Sequence, residues 1–198
     1  TPKPSSAASD VYKRQSMGKI VLFVGLLFSM MSFHVAAQNT RGKTLVVFFS
    51  QTGNTRSVGK AIQELTGGEL FELRVVEPYP DDYHAIRARA KAEQEKDVRP
   101  ELISLPQSIA SYDTIFIGSP IWNYTIAQPV ATFLGKFDFK GKTIIPFCTH
   151  GGGGAGHSSS DIAKRVHGAK ILEGYAFSGS KADKKAIETW LRKLKIKK

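Results

Sequence analysis

Leu45-Val46-Val47-Phe48-Phe49-Ser50-Gln51-Thr52-Gly53-Asn54-Thr55 is the stretch from which the rest of the chain can be read. Five apolar residues run unbroken from Leu45 to Phe49. That is the pattern of a strand covered on both faces, as in a parallel sheet. The composition then changes to hydroxyls, amides and one glycine, and Val58, Ala61, Ile62 and Leu65 follow at helical spacing. The polar cluster therefore sits between a strand's C-terminal end and a helix N-terminus. The first N–H groups of a helix have no internal partner, and the helix dipole is positive there. Such a place stabilises an anion, a phosphate above all. Gly53 permits a tight turn, and no Lys or Arg lies inside the loop; the first cation is Arg56. One residue would suffice to cap a helix. Six small polar residues exceed that need and point to a phosphate held by neutral donors.

Ser-x-Thr-Gly-Asn-Thr after a buried first strand resembles the phosphate loop of the flavodoxin family. The resemblance implies that Ser50, Gln51, Thr52, Gly53, Asn54 and Thr55 hold the 5′-phosphate of FMN.

The remainder of the chain, from Lys43, alternates strand and helix, which argues α/β with a parallel sheet. Helix Thr55–Leu65 ends at Gly67-Gly68, and Leu70–Val75 reads as a second strand. Pro78 and Pro80 break the chain before a charged helix over residues 82–96, a solvated helix on the rim. Asp113–Gly118 is the third strand and Thr143–Cys148 the fourth. Residues 169–177 supply a fifth and residues 184–194 a last helix. The resemblance implies a three-layer flavodoxin-like sandwich with a five-stranded parallel sheet in the order 2-1-3-4-5. Ligands in such sheets bind at the C-terminal strand ends, at the switch point between strands one and three.

Two more loops open on that edge. One carries Pro120, Ile121, Trp122, Asn123 and Tyr124. The other carries Thr149, His150, Gly151, Gly152 and Gly153. On the resemblance, Trp122 and Tyr124 offer flat apolar surfaces to the isoalloxazine ring, Trp122 ahead of Tyr124, and the glycine loop lets backbone N–H groups reach its polar edge. No side chain need be a catalytic acid, because the cofactor carries the chemistry; no metal site is expected. Other activities of α/β folds are poorly served. A low-molecular-weight phosphatase needs Cys where Ser50 stands, and a receiver domain needs an Asp after its buried strand. Cys148 and His150 flank Thr149, but a lone Cys at a strand end more often packs than reacts.

The N-terminus follows another logic. Met17-Gly18-Lys19 is a short basic start, Ile20 to Phe33 is almost wholly apolar, and Val35-Ala36-Ala37 places small residues where a signal peptidase cuts. Residues 17–37 read as a secretory signal cleaved after Ala37, too short for the roughly 20 apolar residues of a membrane span. Residues 1–16 precede the signal and read as a non-native, artefactual leader. The domain is then 38–198, with export to the periplasm expected.

The 198-residue chain carries a net charge of +11. The first 37 residues hold four of its 28 basic and one of its 17 acidic residues, which leaves 38–198 with 24 against 16, a net +8. Much of it is C-terminal, from Lys181 to Lys198, and reads as a solvated helix face with a basic tail. Without interleaved aromatics, nucleic acid is not an expected partner. The reading is an exported FMN protein that transfers electrons or reduces a quinone or protein acceptor, its donor and acceptor open. A non-redox module binding anions or partners on the same fold is the alternative.

Overall fold

The computed structural model describes residues 42–179 and 182–196; the leader and signal expected over 1–37 lie outside the described residues. Strand β1, Lys43–Phe49, lies inside the sheet, parallel to β2 (Glu69–Leu73) on one side and to β3 (Tyr112–Trp122) on the other. Its register places Val46 between Leu70 and Phe116, and Val47 between Phe71 and Ile117. Side chains alternate across a strand. Leu45, Val47 and Phe49 accordingly enter one core layer and Val46 and Phe48 the other, which is why the run has no polar break. Helices α2 (Tyr83–Glu95), α3 (Gln128–Leu134) and α4 (Ser158–Ala163) cover the first layer with Ile86, Val130, Phe133 and Ile162. Helices α1 (Asn54–Thr66) and α5 (Lys184–Lys193) cover the second with Val58, Ile62, Ile187, Trp190 and Leu191. Asp82 caps α2, accepting from the Ala85 N–H at 2.8 Å, and Asp183 caps α5 in the same way.

The path through the sheet is β2-β1-β3-β5-β6, with β5 at Thr143–His150 and β6 at Lys170–Ile171. This is the expected doubly wound order, with two additions. A two-residue strand β4 (Thr125–Ile126) pairs antiparallel with the end of β3. The fifth sheet position, expected as one strand over 169–177, is split into β6 and β7 (Tyr175–Ser178), both parallel to β5. Pro146 accounts for the split. In a parallel ladder alternate residues bond to opposite neighbours, and the Ile144 carbonyl accepts from Leu172 N–H on the β6 side. Pro146, two residues on, faces the same side without an N–H to give. Pairing lapses there and resumes at Phe147↔Tyr175.

Candidate functional site

The first loop joins β1 to α1. Gly53 occupies the N-cap at φ 90°, a left-handed conformation that glycine adopts without strain, and no side chain caps the helix from that position. Ser50 Oγ accepts from the Arg56 N–H at 3.2 Å, and the Gly53 carbonyl accepts from Ser57 N–H at 2.9 Å. Thr55 Oγ1 lies 2.8 Å from Thr149 Oγ1 in the interior, tying this loop to the end of β5. Gln51 Nε2 donates to the carbonyl of Pro80 at 3.3 Å. Arg56, the nearest cation in sequence, is turned outward onto Glu72, its Nε donating at 3.0 and 2.9 Å to the two carboxylate oxygens. Its charge is neutralised by that pair, so the loop has only neutral donors and the helix dipole to offer an anion.

The second loop is a hairpin. β3 continues through Pro120 and Ile121 to Trp122, turns at Asn123-Tyr124, and returns as β4 with Trp122 opposite Thr125. Both turn residues have positive φ, 48° and 65°, the signature of a type I′ turn. The return strand is held because Ile126 and Ala127 are buried and the Ala127 N–H donates to Ser119 Oγ at 2.9 Å. Trp122 is half-buried. Its indole meets Tyr79 at a centroid distance of 4.8 Å and Phe49 at 5.6 Å, both edge-on. Its carbonyl accepts from Gln94 Nε2 at 3.0 Å, and Gln94 Oε1 accepts in turn from Asn123 Nδ2. Tyr124 stands 69% exposed at the hairpin tip.

The third loop curls around His150. Its Nδ1 accepts the N–H groups of Gly152 (3.1 Å) and Gly154 (3.2 Å). The loop then returns to the hairpin. Gly156, at φ 52°, passes so close that a Cβ there would lie 2.1 Å from the Tyr124 carbonyl oxygen, and His157 N–H donates to that same oxygen at 2.7 Å. Thr125 and Asp161 complete the latch, hydroxyl to carboxylate. Cys148 is buried inside β5, and burial pushes its thiol up from the ordinary value, against a smaller opposing effect of the Ser158 hydrogen bond. That is the opposite of an activated nucleophile.

These loops share one cleft of about 220 Å³. Gln51, Thr52 and Asn54 line it from the first loop. Pro120, Ile121, Trp122 and Asn123 line it from the second, and Thr149, His150 and Gly151 from the third. Ser50, Gly53, Thr55, Tyr124, Gly152 and Gly153 are not among the residues that line it. A fourth contributor comes from α2, where Tyr83, Ile86 and Arg87 face the cleft at one-turn spacing. From the sequence this helix reads only as a solvated rim.

Behind Trp122 lies a buried polar cluster. The Tyr79 hydroxyl donates to Glu93 Oε2 at 2.5 Å, and Arg89 Nε donates to Glu93 Oε1 at 2.8 Å. The Arg89 guanidinium also lies 4.2 Å from the centre of the Tyr79 ring. Burial first, then the bond to Glu93, pushes the Tyr79 hydroxyl far above the ordinary tyrosine range. The helix expected to be merely a solvated rim thus supplies a buried carboxylate that holds Tyr79 behind Trp122, away from the cleft lining.

A sequence model of the family described as flavodoxin matches residues 43–194, nearly all that the structure describes. The chain belongs to the flavodoxin family. Among solved structures, a protein of Bacteroides eggerthii assigned as a flavoprotein is 33% identical, with a TM-score of 0.70 over 78% of this chain and 99% of that one. A counterpart from Bacteroides uniformis is also 33% identical, with a TM-score of 0.70 over 76% of this chain and 98% of that one. A flavoprotein of Lactobacillus acidophilus, solved in complex with FMN, shares the fold at 24% identity, with a TM-score of 0.61 over 75% and 98% of the two chains. No curated protein matches the chain. Family membership agrees with the sheet order and with a site at the C-terminal strand ends.

Proposed function

We propose that this flavodoxin-family protein binds FMN in the cleft and acts as an exported electron-transfer protein or flavin-dependent reductase of a quinone or protein acceptor. One observation carries the reading. A helix N-terminus whose N-cap residue is Gly53, the half-buried indole of Trp122 and the His150–Gly151 turn border a single cleft at the C-terminal edge of the sheet. The residues suit the cofactor. Thr52, Asn54 and the start of α1 offer neutral donors to a phosphate. Trp122 offers an apolar surface, with Tyr79 and Phe49 fixing its plane.

When bound, FMN supplies one- and two-electron chemistry. The protein's part is to bind, to orient and to limit water. Thr149 and Thr55 hold the first and third loops at a fixed separation. Gln94 holds both Trp122 and Asn123 from α2. With Nδ1 accepting two backbone N–H groups, His150 has Nε2 as its remaining polar atom.

Export rests on the three-part pattern of residues 17–37. N-terminal sequencing of the protein recovered from a periplasmic fraction should begin at Gln38; a start at Met17 would count against cleavage. For the cofactor, residues 38–198 purified from FMN-replete cells should show two flavin absorption bands in the near-ultraviolet and blue. A colourless protein that also ignores added FMN would reject the redox reading and leave a non-redox anion-binding module.

A further inference from the structure

The cleft's α2 wall has a chemical character that holding FMN does not require. Among the residues lining the cleft there is no Asp or Glu, and Arg87 brings the one permanent positive charge. Several other arginines nearby are committed: Arg56 to Glu72, Arg89 to Glu93 and Arg99 to Asp97. Among the described residues, Arg87 forms no ion pair. Its neighbour one turn earlier is Tyr83, 64% exposed, with the Arg87 guanidinium 5.9 Å from the ring centre. An exposed tyrosine with an uncommitted guanidinium beside it presents a flat face and a positive charge together. That pairing recognises planar anions, because stacking and charge act on one ligand.

We infer that Tyr83 and Arg87 form a recognition rim for a small redox partner that is planar and anionic, an aromatic or quinoid molecule carrying a carboxylate, sulfonate or phosphate. The inference rests on the FMN reading, since it places the partner against a cleft that already holds the flavin. The rim stands on α2, anchored by Glu93 and Gln94 to the wall behind Trp122, so a ligand it captures is held at the mouth of the cleft. An anion gains there because nothing acidic in the lining opposes it. A neutral quinone gains only the Tyr83 contact.

The test uses the oxidised FMN-loaded protein with two probes, anthraquinone-2-sulfonate and the neutral quinone menadione. Binding is read by difference absorbance without turnover. Arg87→Gln should weaken the sulfonate about tenfold, as expected for loss of a charge-assisted contact, while menadione binding stays within a factor of about two. Arg87→Lys should recover part of the loss, and Tyr83→Ala should weaken both probes. Added salt should weaken the sulfonate in the wild type and much less in Arg87→Gln. Equal loss for both probes, or none for the sulfonate, overturns the inference while the FMN reading stands. So does a fall in FMN affinity in Arg87→Gln that matches the fall for the sulfonate, because Arg87 would then serve the cofactor. Failure of the wild type to load FMN overturns both.

Discussion

Thr55 and Thr149 meet hydroxyl to hydroxyl at 2.8 Å, 94 residues apart in sequence and both buried. One sits in the first turn of α1 and the other near the end of β5. Their bond sets the spacing between the loop expected to hold phosphate and the loop that carries His150. Replacing one partner leaves the other buried without a bond, a loss of about 1–3 kcal/mol. Thr149→Val should therefore lower the urea midpoint with an unchanged m-value, and Thr55→Val should do the same. The double variant should lose less than the sum, because the second substitution removes a group already unpaired. Strict additivity would mean that the two hydroxyls are not coupled.

Trp122 tests the wall itself. Its ring is half-buried against Phe49 and Tyr79, so Trp122→Ala should cost about 2 kcal/mol, somewhat less than for a fully buried aromatic. FMN affinity should fall by about tenfold through loss of the flat contact. Trp122→Phe should restore most of both. If titration of the apoprotein with FMN gives the same dissociation constant for Trp122→Ala as for the wild type, the indole is packing only.

Tyr79 gives the stability curve an alkaline limb. Its hydroxyl titrates far above the ordinary value because it is buried and bonded to Glu93. A group raised in the folded state contributes stability that is complete below its unfolded pKa, near 10 for tyrosine, and is lost as pH rises beyond it. The wild type should accordingly lose stability above about pH 10. Tyr79→Phe should be weaker at neutral pH by about 1–2 kcal/mol, since Glu93 loses a donor. The gap between the two should then narrow as the pH climbs. Denaturant titrations at pH 8 and pH 11 measure it, and a gap that stays constant would show that the hydroxyl does not carry the dependence.

Sequence alone reveals this fold where one short stretch obeys two periodicities in succession. Leu45–Phe49 must be covered on both faces, and Val58 to Leu65 must lie on one side of a helix; only a crossover unit satisfies both. The split of the fifth sheet position is harder to foresee, because it depends on which side of β5 the missing Pro146 N–H faces, a matter of register. The second loop conceals its hairpin, since Asn123-Tyr124 lacks the glycine that usually marks a type I′ turn. Glu93 reads as one more charge on a polar helix. Nothing local reveals that the chain around Tyr79 folds down to meet it. Tyr83, Ile86 and Arg87 do share a helical face in the sequence, but only tertiary packing shows that this face borders the cleft.

The hairpin tip offers the sharpest separation of stability from binding. Tyr124 has φ 65°, a conformation that costs a bulky residue about 1 kcal/mol or more and costs glycine little. Its ring is exposed, so little packing offsets that strain. Asn-Gly is the preferred pair for this turn type. Tyr124→Gly should therefore keep the hairpin and raise the unfolding free energy by about 1 kcal/mol, visible as a higher melting temperature of the apoprotein. The carbonyl that latches His157 is retained in that variant, so the third loop should stay in place. A simultaneous loss of FMN affinity would assign the strain to the ring's contact with the cofactor. Unchanged affinity would leave Trp122 as the aromatic surface and remove Tyr124 from the site. Gly156→Ala is the converse case. The added Cβ would collide with the Tyr124 carbonyl, so the latch should open and FMN affinity should fall.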